Sequence, residues 1–368
     1  MENTCKRLLD CCLRGETWPA GLLDRAIEID QGRALLSLVV ERLADSFEPR
    51  LCGVYRRLFA DVIGRAAPEL SARLRPSGRA PANRPPESCA AVFVLSRVTL
   101  GADVAVTSVL LDAAKRRYPE AEIYFAGPAK SYEMFSSDRR IRHRPVAYAR
   151  GGTLLERLRA SASLWFDKGI VIDPDSRLTQ LGLISVCEES RYFFFPSREI
   201  EGPGRLPELA SRWAKEIFGV DARPYIAPPA PAGAAAEITV SLGVGENEAK
   251  RLGGDFERGL LKLLAGRSVL VDQGGSAEER DRVERAIPPG MRTHQGSFAS
   301  FAAEIARSKQ FIGYDSAGGH VASASGVPVI SIFAGAVSER FFDRWRPLGH
   351  VIRPEDGDVL ERVWALLG

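Results

Sequence analysis

From residue 88 onward the sequence repeats one unit: a short unbroken apolar run, a turn, then a segment with helical spacing. The runs Ala90 to Leu95, Glu122 to Gly127, Gly169 to Asp173 and Arg191 to Pro196 form a first set. Glu237 to Leu242, Ser268 to Asp272, Gln310 to Tyr314 and Pro328 to Phe333 form a second. Strands without polar alternation are covered on both faces, as parallel strands sandwiched by helices are. Between the sets lies Val220 to Ala236, rich in proline and alanine, so the pattern predicts two α/β domains joined by a linker. Two such doubly wound domains leave a cleft at the carboxyl ends of both sheets, where open α/β sheets bind ligands.

The first 75 residues obey another rule. Leu8, Leu9, Leu22, Leu23, Ile27, Leu35, Leu36, Val39, Val40 and Leu43 recur at spacings of three and four with no strand-like run among them, which predicts helices. Pro19 after Trp18 suits a first helical turn, and Pro76 to Pro86, holding four prolines, reads as a linker. The expected organisation is a helical extension over 1–80, α/β domains over 86–225 and 236–355, and a closing helix over 356–368.

Composition excludes several classes of function. The 368 residues carry 50 Lys+Arg against 47 Asp+Glu, and a formal charge of +3 gives no general case for binding nucleic acid. Six cysteines without a C-x-x-C pair and four scattered histidines suggest neither a metal site nor a disulfide framework, and reduced thiols fit a cytosol. No signal-peptide core opens the chain and no 18 uncharged apolar residues run together, so the expectation is a cytoplasmic protein without a transmembrane segment.

Chemistry concentrates where the run Phe311-Ile312-Gly313-Tyr314 passes through Asp315-Ser316-Ala317-Gly318-Gly319-His320 into a helix. Ser316, Gly318 and Gly319 leave backbone N–H groups uncovered at a helix N-terminus, a ready site for a diphosphate. His320 in the first turn is placed to donate to a phosphate oxygen. Asp315 cannot favour a diphosphate by charge, so a sugar hydroxyl is its expected partner. Gly326-Val327-Pro328-Val329-Ile330-Ser331-Ile332-Phe333-Ala334-Gly335 adds the next strand at a βαβ distance, ending in a glycine at the cleft. Earlier in the same domain, Gly243 and Gly245 follow a strand and let backbone approach phosphate, with Lys250 as a point charge beyond them.

The pattern D-S-x-x-x-H-x-A-x-A-x-G-x-P-x-I-x-I-F-x-G from Asp315 to Gly335 resembles the nucleotide-sugar signature of glycosyltransferase family 9, the ADP-heptose:lipopolysaccharide heptosyltransferases. The resemblance implies a GT-B fold, two Rossmann-like domains facing across a cleft. It implies that Lys250 contacts the donor diphosphate, and that an acidic residue near Glu278 and Glu279 takes the ribose hydroxyls, although capping a helix explains both glutamates equally. The first strand and its turn, Val92 to Thr107, resemble the stretch in which the family places an aspartate as catalytic base, which makes Asp103 the candidate. Here Ala102 separates Gly101 from Asp103, so the carboxylate is displaced by about a residue and helix capping is the competing reading.

Asp173, Arg177 and Gln180 resemble the family's acceptor-side turn, with capping again the alternative. The basic run Arg139 to Arg144 reads as a solvated loop or as a receiver of an acidic acceptor, and Tyr192 to Phe195 as a buried strand. The resemblance implies inverting transfer of a heptose from a nucleotide-sugar donor to a saccharide acceptor; because the helix N-terminus, His320 and Lys250 can do the work of a cation, no metal or cofactor is expected. That acceptor would be a lipopolysaccharide core sugar or another lipid-linked glycan, reached by peripheral contact with the inner membrane face. The helical extension has no counterpart in the family pattern, and acceptor docking or self-association are its candidate roles. A nucleotide-sugar epimerase of similar build, and a nucleotide-sugar-binding protein without chemistry, remain alternatives.

Overall fold

The computed structural model describes residues 2–75, 84–231, 233–245, 247–335 and 337–367; the 76–83 part of the expected proline linker lies outside the described residues. Two parallel sheets organise the chain. The first has the order β3-β2-β1-β4-β5, from β1 (Ala91–Leu95), β2 (Glu122–Gly127), β3 (Ile141–Pro145), β4 (Ile170–Asp173) and β5 (Tyr192–Phe194). The second has the order β11-β10-β9-β6-β7-β8, from β6 (Ile238–Ser241), β7 (Val269–Asp272), β8 (Arg292–His294), β9 (Gln310–Tyr314), β10 (Val329–Ile332) and β11 (His350–Ile352). In each, the order reverses beside the first strand of the domain, β1 or β6, and this opens a crevice at the strand ends. The fold is two Rossmann-like α/β domains with a helical N-terminal region.

Central strands are apolar throughout because helices cover both faces: β4, β6 and β10 are buried at every position. The basic run proves to be an edge strand, not a loop. Arg142 and Arg144 of β3 flank His143, whose ring stacks on Tyr132 at 4.4 Å and whose Nε2 lies 2.9 Å from the Gly127 carbonyl oxygen, away from the cleft.

The N-terminal helices pack as a unit and then onto the first α/β domain. Leu8, Leu23, Leu35, Val39, Leu58 and Phe59 share one core cluster with Leu154, Leu158, Leu181, Leu183 and Ile184. The helix over 33–44 follows a left-handed turn at Asp30, Gln31 and Gly32, then winds as a π turn over Leu36–Val40. It ends at Asp45, and Phe47 leaves the arm altogether. Fully buried at φ 57, Phe47 joins the cluster that binds the two α/β domains, meeting Phe341 at 6.1 Å and Trp345 at 6.4 Å.

The helix Glu339–Trp345 crosses back from the second domain to the first. Its Arg344, fully buried, donates to the carbonyls of Ile200, Gly202 and Gly204 at 2.8 Å each. Those charge-assisted bonds tie the helix of the second domain to the loop over 200–204 that follows β5 of the first. Among the described residues, no helix is long and apolar enough to cross a membrane.

Candidate functional site

A cleft of about 1050 Å³, part of it open to solvent, lies between the two sheets and the arm. On the second domain its wall is Asp315, Ser316, Ala317 and His320, with Lys250 reaching in from the turn Glu248–Lys250. β9 delivers Asp315 to the strand end, and the helix Ala317–Ala324 begins immediately after. Ser316 is extended and its hydroxyl makes no capping bond, so the first helical N–H groups are not consumed by a cap. Lys250 Nζ sits 2.5 Å from Asp315 Oδ2 and 3.1 Å from the Asp315 carbonyl oxygen. The carboxylate is thus occupied with a lysine rather than poised for a sugar hydroxyl, and its first task is to hold a cation beside a helix N-terminus.

His320 is buried under Trp345, whose ring is 5.8 Å away and edge-on. Burial pushes its pKa below the ordinary value; Asp315 opposes this and Lys250 adds to it. The imidazole is therefore neutral at neutral pH and keeps one N–H to donate.

The expected donor glycines separate from this wall. Gly318 and Gly319 are buried in the helix, and a Cβ on Gly318 would fall 2.5 Å from Phe311 Cζ, so its smallness lets the helix lie on β9. A Cβ on Gly243 would lie 3.4 Å from Glu279 Oε1, and Gly245 turns the chain at φ 64; neither lines the cleft. Of the two candidate glutamates, Glu279 closes a capping box with Ser276 and accepts from Gly275 N at 2.9 Å. The glycine of the displaced turn brings the domains together: a Cβ on Gly101 would lie 3.2 Å from His320 Cδ2 and 3.3 Å from Ala317 Cα.

The opposite wall is basic. Arg97, Arg150, Arg157, Arg177 and Arg198 line it, with Glu41 and Asp45 of the arm as the acidic residues on that side. Arg97 donates to Pro174 O at 2.5 Å and to Ser197 Oγ at 2.8 Å, and its guanidinium lies 5.8 Å over Trp345. Burial, reinforced by Arg198, pulls its pKa down to about 10, which leaves it charged at neutral pH. Asp45 Oδ1 receives Arg198 at 3.2 Å and Arg177 at 3.5 Å. Glu41 pairs with Arg157 at 3.1 Å.

Asp103 is not on this wall. The helix over 100–117 takes up the extra residue as a π turn over Asp103–Thr107, which rotates the carboxylate inward to full burial. There it accepts from Ser96 Oγ, Arg97 N and Thr107 Oγ1, each at 2.7 Å. The residue facing the cleft is Ala102. Asp103 instead fixes the turn that carries Arg97 and Val98, the latter held at φ 60, a conformation costly for a β-branched residue. Asp173 is likewise buried, accepting from Ser176 N at 2.7 Å and from the Thr179 and Tyr192 hydroxyls at 2.5 Å. Gln180 is buried and takes the Tyr55 hydroxyl at 3.2 Å. Of the three acceptor-side candidates, Arg177 alone reaches the cleft.

The charged wall residues that sequence reasoning passes over are Glu41, Asp45, Arg97, Arg150, Arg157 and Arg198. For four of them no local motif exists, since their partners lie more than 100 positions away: Arg157 with Glu41, Arg198 with Asp45. Among the described residues no group of three His, Cys, Asp or Glu side chains could hold a metal ion.

Residues 268–356 match the sequence model of glycosyltransferase family 9 (heptosyltransferase), and the signature from Asp315 to Gly335 lies inside that stretch. Among solved structures, the glycosyl transferase family 9 protein from Veillonella parvula is similar at 14% identity and TM-score 0.54, covering 75% of this chain and 89% of that one. The E. coli ADP-heptose lps heptosyltransferase II is similar at 18% identity and TM-score 0.53, covering 75% and 97%. The E. coli heptosyltransferase WaaC, solved with ADP-2-deoxy-2-fluoro heptose, is similar at 16% identity and TM-score 0.52, covering 72% and 93%. No curated protein matches by sequence. The sequence match thus covers part of the second α/β domain, about a quarter of the chain, and the solved structures share its two-domain fold.

Proposed function

We propose that this chain is an inverting glycosyltransferase that moves a heptose-type sugar from a nucleoside-diphosphate donor, ADP-heptose in the first instance, to a hydroxyl of an anionic saccharide. The observation that carries the reading is the juxtaposition of Lys250, Ser316 and His320 at one end of a cleft whose other wall is arginine-rich. As the glycosidic bond to the donor breaks, negative charge grows on the departing diphosphate. Lys250, the free N–H groups at the start of the helix Ala317–Ala324 and the His320 N–H are donors set in place before reaction, and together they replace a metal in stabilising that charge.

The arginines favour an acceptor carrying phosphate or carboxylate groups, because five guanidinium groups face two carboxylates on that wall. Lipopolysaccharide core sugars have this chemistry, and the enzyme would meet them at the cytoplasmic face of the membrane. Thermal-shift titration with ADP-, GDP-, UDP- and dTDP-sugars tests the donor. A selective response to ADP-heptose is expected; selectivity for another base would overturn the heptose assignment.

A second reading draws on one observation. Asp103 is buried and Ala102 faces the cleft where the resemblance places a catalytic base, which suits a nucleotide-sugar-binding protein without chemistry. Nucleoside diphosphate released from a bound donor separates the two: the enzyme releases it and the binder does not.

A further inference from the structure

The carboxylates lining the described part of the cleft are Glu41, Asp45 and Asp315. Asp315 is tied to Lys250 on the donor side. A carboxylate base for the acceptor must therefore come from the N-terminal arm. The two arm carboxylates differ in position. Asp45 stands two residues before Phe47, which packs against Trp345, and Trp345 in turn covers His320. Glu41 lies one helical turn further back, about 6 Å along the axis, and is engaged by Arg157.

Asp45 also has the oxygen such a role requires. The contacts from Arg177 and from both Nε and Nη2 of Arg198 all land on Oδ1. Among the described residues Oδ2 accepts from none of them, while the side chain stays 42% exposed toward the cleft. One oxygen is anchored and the other is left to work.

We propose that Asp45 is the general base of this enzyme, so that the helical arm completes the active site in place of the buried Asp103. The assignment rests on the transferase reading above. In the step, the acceptor O–H bond breaks and its proton passes to Asp45 Oδ2 as the acceptor oxygen bonds to the anomeric carbon. The bond from that carbon to the diphosphate oxygen breaks, and its electron pair leaves with the nucleoside diphosphate. Burial raises the carboxyl's pKa, but Arg177 and Arg198 outweigh it and hold the group below its ordinary range. The base is thus ionised before each turnover, and the proton it takes is lost to water once product departs.

The test uses the full chain with ADP-heptose, following ADP release with water as acceptor, with and without molar sodium azide. Asp45→Asn keeps an oxygen for both arginines and removes only the basicity of Oδ2. Release should fall by about 10²- to 10⁴-fold, with ADP affinity and melting temperature near those of the parent. Asp45→Ala opens space for azide, an anion that needs no deprotonation. Azide should restore release in this variant and yield a heptosyl azide detectable by mass spectrometry.

An Asp45→Asn variant as fast as the parent would overturn the assignment. So would a slow Asp45→Ala variant that azide does not restore, since that pattern belongs to a residue that only positions the arginines. A parent that binds ADP-heptose without releasing ADP, whether water or a phosphorylated core oligosaccharide is the acceptor, overturns the transferase reading itself, and is told apart because no variant is then needed to see it.

Discussion

Removing the cation from the Lys250–Asp315 pair should separate two quantities that the pair couples. Asp315 is 6% exposed and Lys250 20% exposed, with 2.5 Å between Nζ and Oδ2. Lys250→Met leaves a carboxylate buried without its partner. Breaking such pairs costs about 3–5 kcal/mol, and because the lysine end reaches water the lower figure, about 3 kcal/mol, applies. Asp315→Asn combined with Lys250→Met removes the stranded charge, so stability should return to within about 1 kcal/mol of the parent. Ligand binding should not return. A charge-assisted bond from lysine to a diphosphate contributes about 1.5–3 kcal/mol, or about 10- to 150-fold in affinity. Urea unfolding followed by tryptophan fluorescence reads the first quantity, and calorimetric titration with ADP reads the second. A double variant that binds ADP as tightly as the parent would refute the reasoning, because Lys250 would then serve only to neutralise Asp315.

Three further outcomes are expected. Gly101→Ala should destabilise by about 1–3 kcal/mol, since its Cβ presses on His320 and Ala317, whereas Gly53→Ala, with nothing within 4 Å of its Cβ, should be neutral or stabilising; urea unfolding of both decides. Phe47→Ala should cost about 3–5 kcal/mol, and Phe47→Gly should be no worse than Ala, because at φ 57 the usual penalty for glycine is offset by relief of a left-handed backbone. His320 has a lowered pKa in the fold, so the unfolded chain binds a proton that the folded chain refuses. Its contribution is complete above the unfolded value of about 6.5 and is lost as pH falls below it, so His320→Gln should flatten the stability loss measured between about pH 7 and pH 5.5.

The central strands were legible because burial on both faces leaves no room for polar alternation. Glu122 to Gly127 and Gln310 to Tyr314 were read with the bounds they have in the fold. Three of the four edge strands escape for the complementary reason, while the fourth, Tyr192–Phe194, is legible because it is apolar and largely buried. Ile141–Pro145, Arg292–His294 and His350–Ile352 each pair on one side only, and solvent on the other admits arginine and histidine. In the donor wall, Lys250, Asp315, Ser316 and His320 were found because a strand, a turn and a helix start put most of them within six positions. The acceptor wall was largely illegible. Arg157 and Arg198 meet Glu41 and Asp45 only once two separate units dock, and sequence periodicity carries no information about that docking. Asp103 was misplaced because a single added residue before it is absorbed by a π turn, which changes the direction of the side chain without disturbing the motif around it.

The shared core of the arm and the first α/β domain has a consequence for how the chain is made. The arm leaves the ribosome before the first α/β domain, yet its apolar face is closed by Leu154, Leu158, Leu181, Leu183 and Ile184. At a translation rate of about 10 residues per second, the wait between Leu70 and Ile184 is on the order of ten seconds. Through that interval the nascent helices present leucine and valine side chains to the surroundings, which makes this segment the natural client of a chaperone and the first place where truncated synthesis would aggregate.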